Sequence, residues 1–563
     1  MKTEQRLILA LLFCIALVVG VQTSAYAQTI ASGTCGKNLA WTLDDAGTLS
    51  ISGTGDMIDY IYSDAPWYEI RDHIASIIIQ PGVTSIGDEA FPNCDNLTSV
   101  RIPNSVSYIG QDSFGDCDSL TEVIIPEGVT TIGSYAFQAC DNLLKVLIPK
   151  SLINFNEGTF FCCDSLTSAG PAGSGCSIEF GWKDFIPSKA FYACNITSVI
   201  IPNSLTNIGD LSFYCCPLTN AIIPGNIDHI GFRAFSRCFS LTSVTFQEGV
   251  KVISGDAFEN CESLTGVVIP NSVTLIGSGA FADCINLNTI SVSSDNSSYC
   301  DIDGVLFSKD RTMIHTFPAG KSGEYSIPDS VSNIGFYAFK GCSSLTNVTI
   351  SKNVTSIGQG VFSGCSDLLS VTIPANLTKI PQNTFCGCSS LTNITIPEGV
   401  TTIDQSAFQS CSSLNTVTIP ASVNRIGDHA FSNCRRLKYV YYGGIQEQWN
   451  AISMGFNNAA LTSAIVYMTT PDFILPKAVS EIDESAFSGN AFTFAKLSDK
   501  TKYIGSCAFA GCPNLAYISI PNAEVVIDEN AFGNMQNLTI LGKTGSTAET
   551  YATAHGYTFI AVS

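Results

Sequence analysis

Apolar residues recur along this chain at a fixed spacing. An isolated isoleucine is followed by a turn, then by a small residue and phenylalanine, then by cysteine, leucine and an alternating Val-x-Ile-Pro stretch. In Leu97-Thr98-Ser99-Val100-Arg101-Ile102-Pro103 the alternation of apolar and polar residues predicts a short strand, which the proline ends. The phenylalanines of the repeat are Phe91, Phe114, Phe137, Phe160, Phe191, Phe213, Phe235, Phe258, Phe281, Phe339, Phe362, Phe385, Phe408, Phe431, Phe487, Phe509 and Phe532. Ten of the 16 intervals in this series of 17 units are 23 residues and three are 22. The other three, of 31, 58 and 56 residues, mark insertions. Such self-similarity identifies a repeat array and overrides any domain count taken from length.

Each position has a physical task. Five residues before the phenylalanine, 16 of 17 units carry isoleucine, Phe155 being the exception. The next residue is glycine in ten units, so the chain is expected to turn there. The small or β-branched residue before the phenylalanine, as in Ala90, Ser113 and Val361, suggests a tight turn or short helix. One unit cannot bury its own isoleucine, phenylalanine, leucine and valine, whereas stacked units bury them as one core. The predicted fold is a repeat solenoid, a β-rich curved rod with about 17 units of 22–23 residues and a cap at each end.

Lys2 and Arg6 precede an apolar run from Leu7 to Val21 and then Ala25-Tyr26-Ala27, the pattern of an export signal cleaved near Ala27, so residues 1–27 are assigned to a signal peptide. Residues 28–76 form the expected N-terminal cap, with Leu39–Leu43 and Thr48–Ile51 paired as a β-hairpin. The solenoid is assigned to residues 77–540, with insertions near 170–189, 293–327 and 441–475, and a C-terminal cap to 541–563. The first insertion holds Trp182; the second reads as a hairpin through Val305-Leu306-Phe307 and Met313-Ile314-His315.

The units Ile125 to Pro149 and Ile396 to Pro420 show the pattern I-P-x-x-V-T-x-I-G-x-x-A-F-x-x-C-x-x-L-x-x-V-x-I-P most clearly. This resembles the BspA-like class of leucine-rich repeat surface proteins. Ser32-Gly33-Thr34-Cys35-Gly36, Ser52-Gly53-Thr54-Gly55-Asp56-Met57 and Gly545-Ser546-Thr547-Ala548-Glu549-Thr550-Tyr551 are similar to segments at the two ends of that family. The resemblance implies a surface or secreted protein, some relatives of which bind host matrix proteins or other cells.

Fifteen units carry cysteine three residues after the phenylalanine: Cys94, Cys117, Cys140, Cys163, Cys194, Cys216, Cys238, Cys261, Cys284, Cys342, Cys365, Cys388, Cys411, Cys434 and Cys512. Disulfides are the default in an exported chain. A fixed place in every unit points instead to a buried ladder of free thiols, since side chains in register point the same way and suit the disulfide dihedral poorly.

Net charge is −21 with only 27 Lys and Arg, which argues against nucleic acid or anionic membrane as partner. No later stretch is long and apolar enough to insert the mature chain in a membrane. His73, His229, His315, His429 and His555 are scattered, without metal-ligand or nucleophile motifs. Asp301-Ile302-Asp303-Gly304 lacks the remaining ligands of a calcium loop and reads as a turn. Neither enzymatic activity nor a cofactor or metal is expected.

Function is therefore expected on exposed positions and insertions. The residue between valine and isoleucine of each strand reads Arg101, Ile124, Leu147, Ile200, Ile222, Thr245 and Val268, then Thr349, Thr372, Thr395, Thr418, Tyr441, Lys496 and Ser519. The apolar members Ile124, Leu147, Ile200, Ile222 and Val268 are candidates for ligand contact on a concave sheet. Tyr441, Tyr442 and Trp449 of the third insertion form an aromatic cluster and are further candidates. The reading favours an exported adhesin for a host matrix protein, a cell-surface protein or a glycan; the alternative is a passive component of a surface coat.

Overall fold

The computed structural model describes residues 27–562 apart from 62–63, 171–184, 469–472, 490–491, 534 and 536. The chain divides into two compact units, Met1–Lys321 and Ser322–Ser563. Each is a parallel β-solenoid of the leucine-rich-repeat type, in which successive repeats stack as rungs.

Every regular repeat contributes two strands, where the sequence pattern predicts one. The Val-x-Ile strand is the first: Glu122–Ile124 pairs in parallel with Lys145–Leu147, which pairs with Ser168–Gly170. The second is a two-residue strand ending at the isoleucine before the turn. Tyr108–Ile109, Thr131–Ile132 and Asn154–Phe155 form such a ladder. Two residues per rung are too few to show alternation, yet the same pairing repeated on both sides makes a sheet.

Around the phenylalanine there is turn rather than helix. Residues two before and two after it adopt left-handed backbone, as in Asp112 (φ 48°) and Asp116 (φ 58°) around Phe114. Such angles cost energy for non-glycine residues. Hydrogen bonds to the next rung offset that cost: Phe114 N–H donates to Ala136 at 2.8 Å and Asp116 N–H to Gln138 at 2.8 Å.

All the repeat phenylalanines except the half-buried Phe487 bury completely, and they stack along each unit. Phe91, Phe114 and Phe137 have ring centroids 5.3 and 5.2 Å apart, and Phe385, Phe408 and Phe431 have 5.3 and 5.1 Å. Burying each ring contributes roughly 1.5–3 kcal/mol.

Both ends are closed. Strands Thr29–Gly36, Leu39–Asp44 and Thr48–Gly53 pair antiparallel, and the last then pairs in parallel with Ser76–Ile79. Trp67 takes the phenylalanine's place below the first rung, stacking on Phe91 at 5.1 Å and donating its indole N–H to Ala90 at 2.7 Å. At the other end the strand Thr558–Ala561 pairs with Thr539–Gly542. Between them runs the helix Thr547–His555, whose N-cap Ser546 hydroxyl accepts the Glu549 N–H. Tyr551 on that helix meets Phe532 edge-on at 5.6 Å.

Residues 171–184 of the first insertion, Trp182 among them, lie outside the described residues. The second insertion contains three antiparallel strands, Tyr299–Ile302, Val305–Ser308 and Met313–Thr316. Asp303 and Gly304 make the turn between the first two (φ 51° and 75°), and the Asp301 carboxylate accepts the Val292 N–H at 2.8 Å. The third insertion holds two short helices, Gln446–Asn450 and Ala459–Thr462.

Candidate functional site

The column between valine and isoleucine faces outward, because strand residues alternate faces and its neighbours on either side are core. In the N-terminal unit Ile124, Ile200, Ile222 and Val268 are 57%, 61%, 55% and 60% exposed. Leu147 is half-buried beside Ile124, its direct register partner. The column is not one unbroken aliphatic strip. Ile124 and Leu147 are followed by Gly170, whereas Ile200 pairs with Ile222 in a separate sheet that continues to Thr245. Val268 pairs with Ser291. Ile124 and Leu147 line a shallow cleft of about 380 Å³ with Pro126, Pro149, Glu127 and Lys150. Beside them Lys145 and Glu122 form an ion pair across rungs at 3.5 Å. In the C-terminal unit the same position is held by Thr349, Thr372 and Thr395, all exposed, and by the half-buried Thr418.

The cysteine column faces the interior, and its thiols are free. From Cys117 to Cys284 and from Cys365 to Cys512 the ladder Sγ donates backward to the carbonyl of the preceding rung's phenylalanine: Cys117 to Phe91 at 3.3 Å, Cys140 to Phe114 at 3.1 Å, Cys238 to Phe213 at 3.2 Å, Cys434 to Phe408 at 3.0 Å. This explains the residue type. The phenylalanine carbonyl is buried between two left-handed residues, where a small apolar side chain with one weak donor fits. Burial pushes the thiols of Cys163, Cys194 and Cys238 well above their ordinary range and that of Cys216 up to about 12. Thiols so far from ionisation are poor nucleophiles and poor metal ligands. Among the described residues no group of three or more His, Cys, Asp or Glu side chains could hold a metal ion.

A larger recess of about 530 Å³ lies in the C-terminal unit. Tyr441, Lys496 and Ser519 of the outward column line it, together with Tyr517, Leu541, Ile560 and Val562.

The sequence family described as BspA type leucine rich repeat region matches the chain in six copies, over residues 67–173, 184–311, 315–438 and 464–553. The chain belongs to this family. No curated protein sequence matches it. It is similar to the solved structure of a leucine rich cell surface protein from Faecalibacterium prausnitzii, at 29% identity over 76% of this chain and 98% of that one, with a TM-score of 0.49. A leucine-rich repeat protein from Eubacterium ventriosum is 24% identical over 80% and 98% of the two chains, with a TM-score of 0.35. The pneumococcal vaccine antigen PcpA is 16% identical over 95% and 100%, with a TM-score of 0.38.

Within this BspA-type array one sequence assignment is corrected. Tyr442 is fully buried and packs against Trp449 at 5.2 Å, so it is a core residue of the insertion rather than a contact residue. The cause is register: Tyr442 pairs with Ile419, an inward position, and Tyr441 with the outward Thr418. Trp449 and Tyr441 are half-buried. Leu541, Ile560 and Val562 join the recess without having stood out in the sequence. The signal for them is the alternation in Thr558–Ala561, which continues the outward column onto the cap, with Ser519 opposite Leu541 and Leu541 opposite Ile560.

Proposed function

We propose that this chain is an exported, non-enzymatic binding protein of the cell surface or secreted fraction, which adheres to a host matrix or cell-surface protein through the outward column of its N-terminal unit. What supports the reading is the exposure of Ile124, Ile200, Ile222 and Val268, each more than half open to solvent at a repeat position filled by threonine in four successive rungs of the other unit, Thr349 to Thr418. Solvent-facing aliphatic residues at such a position lose nothing by becoming threonine, and covering them with a partner yields the apolar burial that anchors interfaces. A glycan would meet few polar partners on this column. Family membership supports a surface or secreted location. Among the described residues no helix is long and apolar enough to cross a membrane.

The test is capture from a panel of purified matrix and cell-surface proteins by immobilised residues 28–563. Saturable capture of a defined protein supports adhesion. Capture of none, with concentration-dependent self-association instead, favours the coat component.

A further inference from the structure

The recess in the C-terminal unit differs in chemistry from the aliphatic column. Lys496, Ser519, Leu541 and Ile560 stand opposite one another on four successive parallel strands, Lys496 to Ser519, Ser519 to Leu541 and Leu541 to Ile560. Parallel pairing spaces them at steps of about 4.8 Å. Tyr441, at the same repeat position of the strand Tyr439–Tyr442, also lines the recess. Buried Met468 and Phe494 contribute to the lining, as do Pro521 and Val562.

Among the described residues one cation, Lys496, lines this space. Lys496 is exposed, and among the described residues it makes no ion pair and no Asp or Glu lines the recess. In a chain of net charge −21 this ammonium offers positive charge beside an apolar wall with no carboxylate among the described lining residues to answer it. Its complement is an anion that also carries apolar surface.

We propose that this recess binds a short peptide segment bearing a carboxylate next to an apolar side chain. Lys496 receives the carboxylate in a charge-assisted hydrogen bond. Leu541, Ile560 and Val562 take the apolar side chain, and the Tyr441 and Tyr517 phenols with the Ser519 hydroxyl can meet peptide groups. A volume of about 530 Å³ admits a few residues and lies within the usual range of roughly 300–1,000 Å³ for ligand pockets. A neutral sugar would leave hydroxyls facing the aliphatic wall. A nucleic acid would need more than one cation. The site is independent of the aliphatic column in the other unit, and its test can fail without touching that reading.

The probe is fluorescein-labelled Gly-Leu-Glu-Phe-Gly amide, titrated with residues 28–563 and followed by anisotropy, beside its Gln counterpart. The Glu peptide is expected to bind about tenfold more tightly than the Gln peptide. Lys496→Gln removes the difference between them without lowering the melting temperature. Ser519→Trp, which fills the recess but keeps Lys496, abolishes binding of both. The Ile124, Ile200 and Ile222 to Lys triple variant binds the Glu peptide as the parent does. Absence of binding up to about 1 mM, or equal affinity for the two peptides, overturns the proposal. So does Lys496-dependent binding of 3′-sialyllactose with no binding of the peptide, which would reassign the recess to an acidic sugar.

Discussion

The imidazole of His315 stands where a neighbouring strand would otherwise serve Ile276. Its Nε2 lies 2.8 Å from the Ile276 carbonyl oxygen, and the Tyr299 hydroxyl accepts the Ile276 N–H at 2.8 Å. Ile276 ends the strand Leu275–Ile276, the last of a five-stranded sheet in the N-terminal unit. Two side chains of the inserted hairpin thus satisfy both backbone groups of a buried edge residue. A carbonyl can only accept, so Nε2 carries the proton, and Nδ1 accepts from the Thr316 hydroxyl at 3.0 Å.

The first prediction follows from that burial, which holds the His315 imidazole below its ordinary range. A depressed pKa means that the folded hairpin binds its proton less well than the unfolded chain. Its contribution to stability is therefore complete above the ordinary imidazole value near 6.5 and is lost as pH falls below it. Amide exchange across residues 299–316, corrected for intrinsic rates, should be faster at pH 5 than at pH 7.5. His315→Phe should exchange faster at both and lose the difference. A hairpin equally protected at both pH values in the parent protein would refute the linkage.

Replacing Phe408 with Ala should cost about 3–5 kcal/mol through the cavity left between Phe385 and Phe431. Contacts in a solenoid run between nearest rungs, so exchange should rise around residues 385–431 first. An equal rise around Phe114 would show that stability is shared along the whole chain.

The thiol column makes a prediction readable with a colorimetric reagent. In the native protein the ladder cysteines should be silent. In denaturant without reductant, most of the 22 cysteines other than Cys14 should react. Cys140→Ala should destabilise by about 1–3 kcal/mol, since the Phe114 carbonyl is left without its donor. Recovery of mostly disulfides would contradict the free ladder.

Changing Ile124, Ile200 and Ile222 together to Lys should leave the melting curve nearly unaltered, because exposed substitutions cost within about 0.5 kcal/mol each. Capture of the partner protein should fall at least tenfold. The matched control, Thr349, Thr372 and Thr395 to Lys, adds equal charge to the other unit and should retain capture. Equal losses in both would trace binding to bulk charge.

Much of the fold can be read from the chain because its strongest signals are core positions. Every ladder cysteine and nearly every repeat phenylalanine is buried, as the requirement for identical side chains at identical places predicts. The second strand leaves no readable pattern because Tyr108–Ile109 and its successors are two residues long. The left-handed positions are only partly marked: glycine, Asn or Asp fills many of them, such as Gly341, Gly364 and Gly387, but other residue types fill the rest. Asn93, Asp116, Ala139 and Cys162 all adopt φ between 50° and 58°, held by bonds to the next rung rather than by their own side chains. For Tyr442 two signals conflict. Aromatic clustering points it to a surface, whereas the alternation shared by Thr416-Val417-Thr418-Ile419 and Tyr439-Val440-Tyr441-Tyr442 points it inward, and the alternation wins. The recess has only a faint sequence signature, the alternation in Thr558–Ala561, because its wall joins residues of the repeats to residues of the terminal cap, which do not carry the repeat motif.

The backward-pointing thiol gives the array a direction of growth. In these pairs the acceptor, a phenylalanine carbonyl, belongs to the earlier turn and the thiol to the later one, whereas the N–H bonds of Phe114 and Asp116 run forward, so each turn is completed when its successor is added. Trp67 starts the sequence by offering Phe91 a ring to stack on before any regular turn exists. A nascent chain can thus extend its ordered stretch turn by turn, with only the newest edge exposed. Truncation from the carboxyl end should leave the older turns intact, whereas loss of the tryptophan cap would remove the template from which the rest is copied.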